Sequence, residues 1–300
     1  MKLCGLNIRI QVALLSCAMA ATVTVPCAGQ GGATATFPVN EFEKFGGIVY
    51  RTGEDYRLTL DVYVPEGEGP FPAVLAVHGG SWRSGTKLNW FRHARRIARA
   101  GFVVVAINYR HAPEFQFPAQ IHDCKAAVRW MRTNAATYKI DAERIGAVGY
   151  SAGGHLVALL GTTESADGLE GDVPSEESGV STRLRAVACG GAPCEFTWLG
   201  DESRSLAFWL GDSRAGNPEI YRVASATTYI SPDDPPFHFF HGTEDMLVPE
   251  SSPRRMHQLL LQNSVESEFV PYEGYGHFGL FGHVAALDPV IEFLDRELRK

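Results

Sequence analysis

The sequence predicts an α/β fold whose central sheet is mixed at its N-terminal edge and parallel thereafter. Three observations carry this. Short apolar or alternating runs bounded by turn residues recur from Gly46 to Glu273. The first of these follow one another closely, as in antiparallel neighbours, whereas from Ala73 onward they alternate with helix-patterned stretches, the signature of parallel β-α-β units. Finally, Gly149-Tyr150-Ser151-Ala152-Gly153 lies between an apolar stretch, Arg144 to Val148, and a helix-like stretch, Ala152 to Gly161, which reads as strand, sharp turn and helix with a serine at the apex.

In chain order, the expected strands are Gly47 to Arg51, Leu58 to Val64, Ala73 to Val77, Val103 to Asn108, Ile145 to Gly149, Ala186 to Cys189, Phe237 to His241 and Glu268 to Pro271. Helices are expected around Leu88 to Ala100, Ala119 to Ala136, Ala152 to Gly161, Ser252 to Gln262 and Val284 to Arg299, where apolar residues recur at helical spacing. Two segments break the alternation. Thr162 to Thr182 is polar and acidic, with Gly168, Gly171, Pro174 and Gly179, and reads as a long surface loop. Glu195 to Ile230 is aromatic-rich and irregular, with Trp198, Phe208, Trp209 and Tyr221. Either is a candidate border for a substrate cleft, because long loops on open α/β sheets gather at the carboxyl ends of strands.

Three hundred residues, 45% hydrophobic and 20% charged, suffice for one full core, and a single domain over 40–300 is expected. A net charge of -7 without a long basic run argues against nucleic-acid partners, which require clustered Lys and Arg. Arg92, Arg95, Arg96 and Arg99 do cluster, but Phe91, Ala94, Ile97 and Ala98 interleave at helical spacing, so a solvated helix face is expected there.

Lys2 and Arg9 followed by the uncharged, mostly apolar or small stretch Ile10 to Val25 read as an export signal, with signal and leader over 1–28. Ala18-Met19-Ala20 offers one cleavage site and the neighbourhood of Ala28 another. The apolar run is short for a spanning helix and no charged stop follows it, so an exported protein without a stable membrane anchor is expected. Of six cysteines, Cys4 and Cys17 leave with the signal and Cys27 lies at its end, so Cys124, Cys189 and Cys194 belong to the folded body. Cys189 and Cys194 are near enough to bridge a short loop; buried free thiols are the alternative. No metal-ligand spacing occurs, and neither a metal nor another cofactor is expected.

A serine hydroxyl is a weak nucleophile near neutral pH. Acyl transfer on it needs a general base, an acid to hold that base and donors for the developing oxyanion. Gly149 and Gly153, two residues either side of Ser151, lack the side chains that would collide with strand and helix at so sharp a turn. His277, in Gly274-Tyr275-Gly276-His277-Phe278, follows the last strand in a glycine-flanked turn that can carry an imidazole over the sheet edge. Asp245, in His241-Gly242-Thr243-Glu244-Asp245, follows the strand at Phe237. Alone it would be a turn carboxylate, but the order Ser151, Asp245, His277 is that of a hydrolase triad on such a sheet. For the oxyanion, the expected donors are the backbone amides of Gly80 and Ser81, in His78-Gly79-Gly80-Ser81-Trp82, and of Ala152 at the start of the following helix. Trp82 and Tyr150 are the expected substrate contacts. His78 and His155 are expected to serve structure.

These motifs, with Asn108-Tyr109-Arg110, Asp123 to Trp130 and Gly276-His277, resemble the α/β-hydrolase superfamily. Within it the chain is similar to the secreted esterase/lipase branch of bifunctional deacetylase/feruloyl esterases, acetylxylan esterases and hormone-sensitive-lipase-like carboxylesterases. The resemblance implies a mostly parallel sheet of about eight strands flanked by helices, and a serine carboxylesterase acting on small-molecule or polysaccharide esters, acetyl or feruloyl esters of plant carbohydrates foremost. Where many relatives carry a third glycine this chain has Ser81, which keeps the backbone amide and adds a hydroxyl. An amidase or peptidase on the same residues, or a binding protein on a catalytically silent fold, are the alternatives. Oligomeric state is left open.

Overall fold

The computed structural model describes residues 40–198 and 203–300. The expected signal and leader over 1–28 lie outside the described residues. Eight strands run β1 (Phe42–Thr52), β2 (Arg57–Pro65), β3 (Phe71–Val77), β4 (Val103–Ile107), β5 (Ile140–Tyr150), β6 (Val187–Gly190), β7 (Phe237–Gly242) and β8 (Ser267–Tyr272). They form one sheet in the order β1-β2-β4-β3-β5-β6-β7-β8. Strand β2 is antiparallel to both its neighbours, and every later pairing is parallel. This is the α/β-hydrolase fold, with the antiparallel edge where the sequence predicts it.

Side-chain alternation builds the core. In β3 and β4, Ala73, Leu75, Val77, Val103, Val105 and Ile107 enter one apolar layer, whereas Val74, Ala76, Val104 and Ala106 enter the opposite one. Helices α2 (Ala119–Thr133) and α3 (Ala152–Thr162) cover the first face through residues such as Ile121, Val128 and Leu156. Helices α1 (Phe91–Arg99) and α8 (Asp288–Leu298) cover the second through Ile97, Ile291 and Phe293. Each such side chain withdrawn from water stabilises the fold by roughly 1.5–3 kcal/mol. The arginines of α1 do occupy its wetter face, with Arg92 and Arg96 exposed while Ala94, Ile97 and Ala98 are buried.

The two irregular segments differ from expectation. Between 195 and 230 the chain forms α4 (Arg204–Leu210) and α5 (Pro218–Ala224), each capped at its N-terminus, by Ser203 and by Asn217 respectively. The acidic segment between 162 and 182 packs on α2 instead of bordering the serine. Glu170 accepts from Lys125 Nζ and from Arg129 Nη1, each at 2.6 Å, and Glu177 lies 3.1 Å from Arg129 Nε. Both cations are fully buried, so the loop's acidity neutralises charge that the helix carries into the interior. Cys124, Cys189 and Cys194 are buried free thiols, so no bridge joins the last two. Among the described residues no helix is long and apolar enough to cross a membrane.

Removing the shared carboxylate should leave the buried Lys125 without its ion-pair partner and Arg129 with Glu177 alone. Glu170→Gln is expected to lower unfolding stability by about 3 kcal/mol, read as a shift in urea midpoint. Burial raises the Glu170 carboxyl, but its bonds to Lys125 and Thr182 outweigh this and leave it below the ordinary value of 4.5. The stabilisation is therefore complete above that value and lost as pH falls through the lower folded-state value, so the Glu170→Gln deficit should shrink in acid.

Candidate active site

The carboxyl end of β5 and the start of α3 meet at Ser151, whose backbone sits at φ 58°, ψ -125°. A left-handed φ at a non-glycine residue costs of order 1–3 kcal/mol and persists only where the surroundings enforce it. They do so here through close backbone contact. A Cβ on Gly149 would lie 2.1 Å from the Gly153 carbonyl oxygen, and one on Gly153 would lie 2.0 Å from the Val77 carbonyl oxygen on β3. The Ser151 amide donates to the Gly190 carbonyl at 2.8 Å, fixing the apex to β6.

Asp245 follows β7 in a tight turn. Its Oδ1 accepts from the Leu247 and Val248 amides, each at 2.9 Å, and its Oδ2 accepts from His277 Nδ1 at 2.6 Å. Burial pushes this carboxyl up, but the His277 bond and the two amides prevail and hold it below the ordinary carboxylate value. His277 opens a short helix, α7 (His277–Gly282), where the sequence suggests only a turn. With Nδ1 bonded to the carboxylate, Nε2 is the ring nitrogen left to exchange a proton. Ser151 and His277 border one cavity of about 570 Å³.

The loop after β3 lies directly against the serine, since a Cβ on Gly79 would come within 3.0 Å of Ser151 Cβ. Gly80, Ser81 and Trp82 all have positive φ, at 122°, 52° and 57°. Gly80 is needed sterically, because a Cβ there would sit 2.1 Å from the Ser84 carbonyl oxygen. Ser81, Trp82 and Ala152 line the cavity beside Ser151; Gly80 lies in the turn behind them and is not among the lining residues.

The other expected residues fall as follows. Trp82 borders the cavity by one edge, but it stacks on the fully buried Trp209 at 3.8 Å and donates to His155 Nδ1 at 3.1 Å, so most of it is core. Tyr150, expected at the substrate, is buried, and its hydroxyl donates to the His277 carbonyl at 2.7 Å. It fixes the turn that presents the imidazole. His155 Nε2 bonds the Ala224 carbonyl at 2.7 Å, and His78 Nδ1 bonds the Gly79 carbonyl at 2.7 Å while its ring stacks on Tyr109. Burial pushes both rings down to about 4, so both are neutral donors. His241, which the sequence reading does not single out, donates through Nε2 to the Val248 carbonyl at 2.9 Å and so braces the Asp245 turn. Trp198, nearly half exposed, and Glu195 complete the wall from the segment before α4. Among the described residues no group of three His, Cys, Asp or Glu side chains is arranged to hold a metal ion.

The BD-FAE family model matches residues 60–260, well over half of the chain. The chain belongs to the BD-FAE family. This BD-FAE chain is 32% identical over 234 residues to a probable carboxylic ester hydrolase, LipM, of Mycobacterium tuberculosis, covering 74% of this chain and 53% of that protein. It spans about half the length of the curated relatives it matches. Among solved structures it is similar to a truncated carbohydrate esterase from gut microbiota, with TM-score 0.79 and 25% identity, covering 87% of this chain and 98% of that one. It is also similar to esterase 2 of Thermogutta terrifontis phosphorylated by paraoxon, with TM-score 0.69 and 26% identity, covering 87% and 93%.

The elbow's steric closure is directly testable. Gly149→Ala in this BD-FAE protein must push apart strand and helix backbone, and a loss of more than about 2 kcal/mol in unfolding stability is expected. A melting temperature equal to that of the unmodified protein would contradict the contact.

Proposed function

We propose that this chain is a serine carboxylesterase that hydrolyses small acyl or aryl esters through an acyl-enzyme on Ser151. The observation that carries the reading is the 2.6 Å bond from His277 Nδ1 to the buried Asp245 carboxylate, with that imidazole and Ser151 bordering one cavity. Ser151 Oγ attacks the ester carbonyl as its proton passes to His277 Nε2. The carbonyl oxygen takes up the negative charge facing the amides of Ser81 and Ala152, both of which line the cavity. Collapse expels the alcohol, which leaves with the proton from His277, and the acyl group stays on Ser151. Water then attacks the acyl carbon, giving its proton to His277, and a second collapse releases the acid and restores the Ser151 hydroxyl.

Acetyl or feruloyl esters of plant carbohydrates are the favoured substrates. This is supported by the likeness to the gut carbohydrate esterase and by a cavity wall that mixes serine hydroxyls with an exposed Trp198 ring. We further propose that the protein is exported, on the strength of Lys2 and Arg9 ahead of the uncharged stretch 10–25.

Initial rates on short and long p-nitrophenyl acyl esters, acetylated xylan, methyl ferulate and a peptide anilide test the reading. Ester turnover should fall by about 10⁶ in Ser151→Ala with the fold intact. Retained turnover in that variant, or hydrolysis of the anilide alone, would contradict it. Asp245→Asn should lower kcat by about 10⁴, whereas Glu244→Gln, whose side chain is exposed, should change it less than about threefold.

A further inference from the structure

Glu195 brings the only carboxylate among the described residues that line the cavity, and His277 the only base. It lines the cavity three residues before Trp198, in a segment whose role the hydrolytic chemistry does not explain. Its Oε2 accepts from Arg255 Nε at 2.6 Å and its Oε1 accepts from the Thr197 hydroxyl at 2.8 Å. Arg255 projects from α6 (Ser251–Gln262) with its side chain 56% exposed and is not among the lining residues, whereas the Glu195 side chain is 9% exposed and is among them. The ion pair is thus presented to the cavity by its anionic member.

A carboxylate offers about four lone-pair positions over two oxygens. Arg255 and Thr197 use one on each oxygen, leaving one on each. Two acceptors spaced as in a carboxylate match a pair of neighbouring hydroxyls, while a ligand that itself carries negative charge meets repulsion from the carboxylate. Beside it, Trp198 offers an aromatic face of the kind that packs against the C–H face of a sugar ring. Ser203 and Ser205, which also line the cavity, add short hydroxyls.

We propose that Glu195 is the specificity-determining residue of this cavity: it accepts adjacent hydroxyls of a neutral sugar and turns away substrates that carry a negative charge. The inference rests on the esterase reading for the identity of the reaction, but the recognition it describes does not depend on turnover.

Two arms separate these. In the kinetic arm, the ratio of kcat/KM for p-nitrophenyl butyrate to that for the anionic p-nitrophenyl hemisuccinate is measured in the unmodified protein, Glu195→Gln and Arg255→Gln. Glu195→Gln should lower the ratio about tenfold, and Arg255→Gln, which uncovers the carboxylate, should raise it about threefold. A residue that merely anchors Arg255 would move both variants the same way or leave the ratio unchanged, and either result overturns the proposal. In the binding arm, xylobiose and glucuronate are titrated by ligand-observed NMR into Ser151→Ala and Ser151→Ala/Glu195→Gln. Xylobiose should bind the first in preference to glucuronate and lose about tenfold in affinity in the second. Equal affinity for the two ligands, no xylobiose binding, or binding indifferent to the second substitution overturns the proposal. Sugar binding that depends on Glu195, with no ester turned over by any variant, would instead fail the esterase reading and leave the recognition standing.

Discussion

The site depends on one strained residue and the backbone contacts that hold it. Ser151 stays at φ 58° because α3 leaves no room for a side chain at Gly149 and the end of β3 leaves none at Gly153. The same closeness sets the rest of the arrangement. Val77 pairs with Gly149 across β3 and β5, so the loop leaving β3 arrives against the serine. Tyr150 pairs with Gly190 on β6, and β7 and β8 follow in order, so the segments bearing Asp245 and His277 leave the sheet at the same end. Residues nearly 200 positions apart in the chain are thereby gathered by strand order alone, as expected at the carboxyl ends of parallel strands.

Around that point the protein spends hydrogen bonds on orientation. Asp245 accepts three, from two amides and an imidazole, and its turn is braced by His241. Tyr150 holds the His277 carbonyl from below. Each bond is worth about 1 kcal/mol to stability, but its larger effect is to fix a geometry that the proposed reaction would otherwise have to assemble in every cycle. Charge is treated alike away from the site. Lys125 and Arg129 are tolerable in the interior because a loop some 45 residues later carries Glu170 and Glu177 to them.

Much of this is legible in the chain. Parallel strands buried on both faces appear as unbroken apolar runs such as Val103 to Ile107, and the glycines flanking Ser151 announce a turn that only glycine permits. Asp245 and His277 are legible through their order and their glycine-rich turns. What escapes is set by tertiary contact. Helices α4 and α5 are seven residues each, too short for an amphipathic repeat, although Ser203 with Gly211 and the pair Asn217-Pro218 are boundary signals. The acidic loop looks like a cleft border because its cationic partners are distant in sequence. Tyr150 looks like a substrate contact because it adjoins the serine, yet a residue before the apex points its ring back under the turn, towards His277. Glu195 carries no local signal, since nothing nearby in sequence shows that Arg255 will lie beside it.

In the proposed reaction Ser151 is the nucleophile activated by this geometry. The most direct measurement is titration of the purified protein with paraoxon, followed by intact and peptide mass spectrometry. One diethyl phosphate per chain is expected, on the peptide containing Ser151, and none in Ser151→Ala. Full labelling at another serine, or labelling that persists in Ser151→Ala, would contradict it.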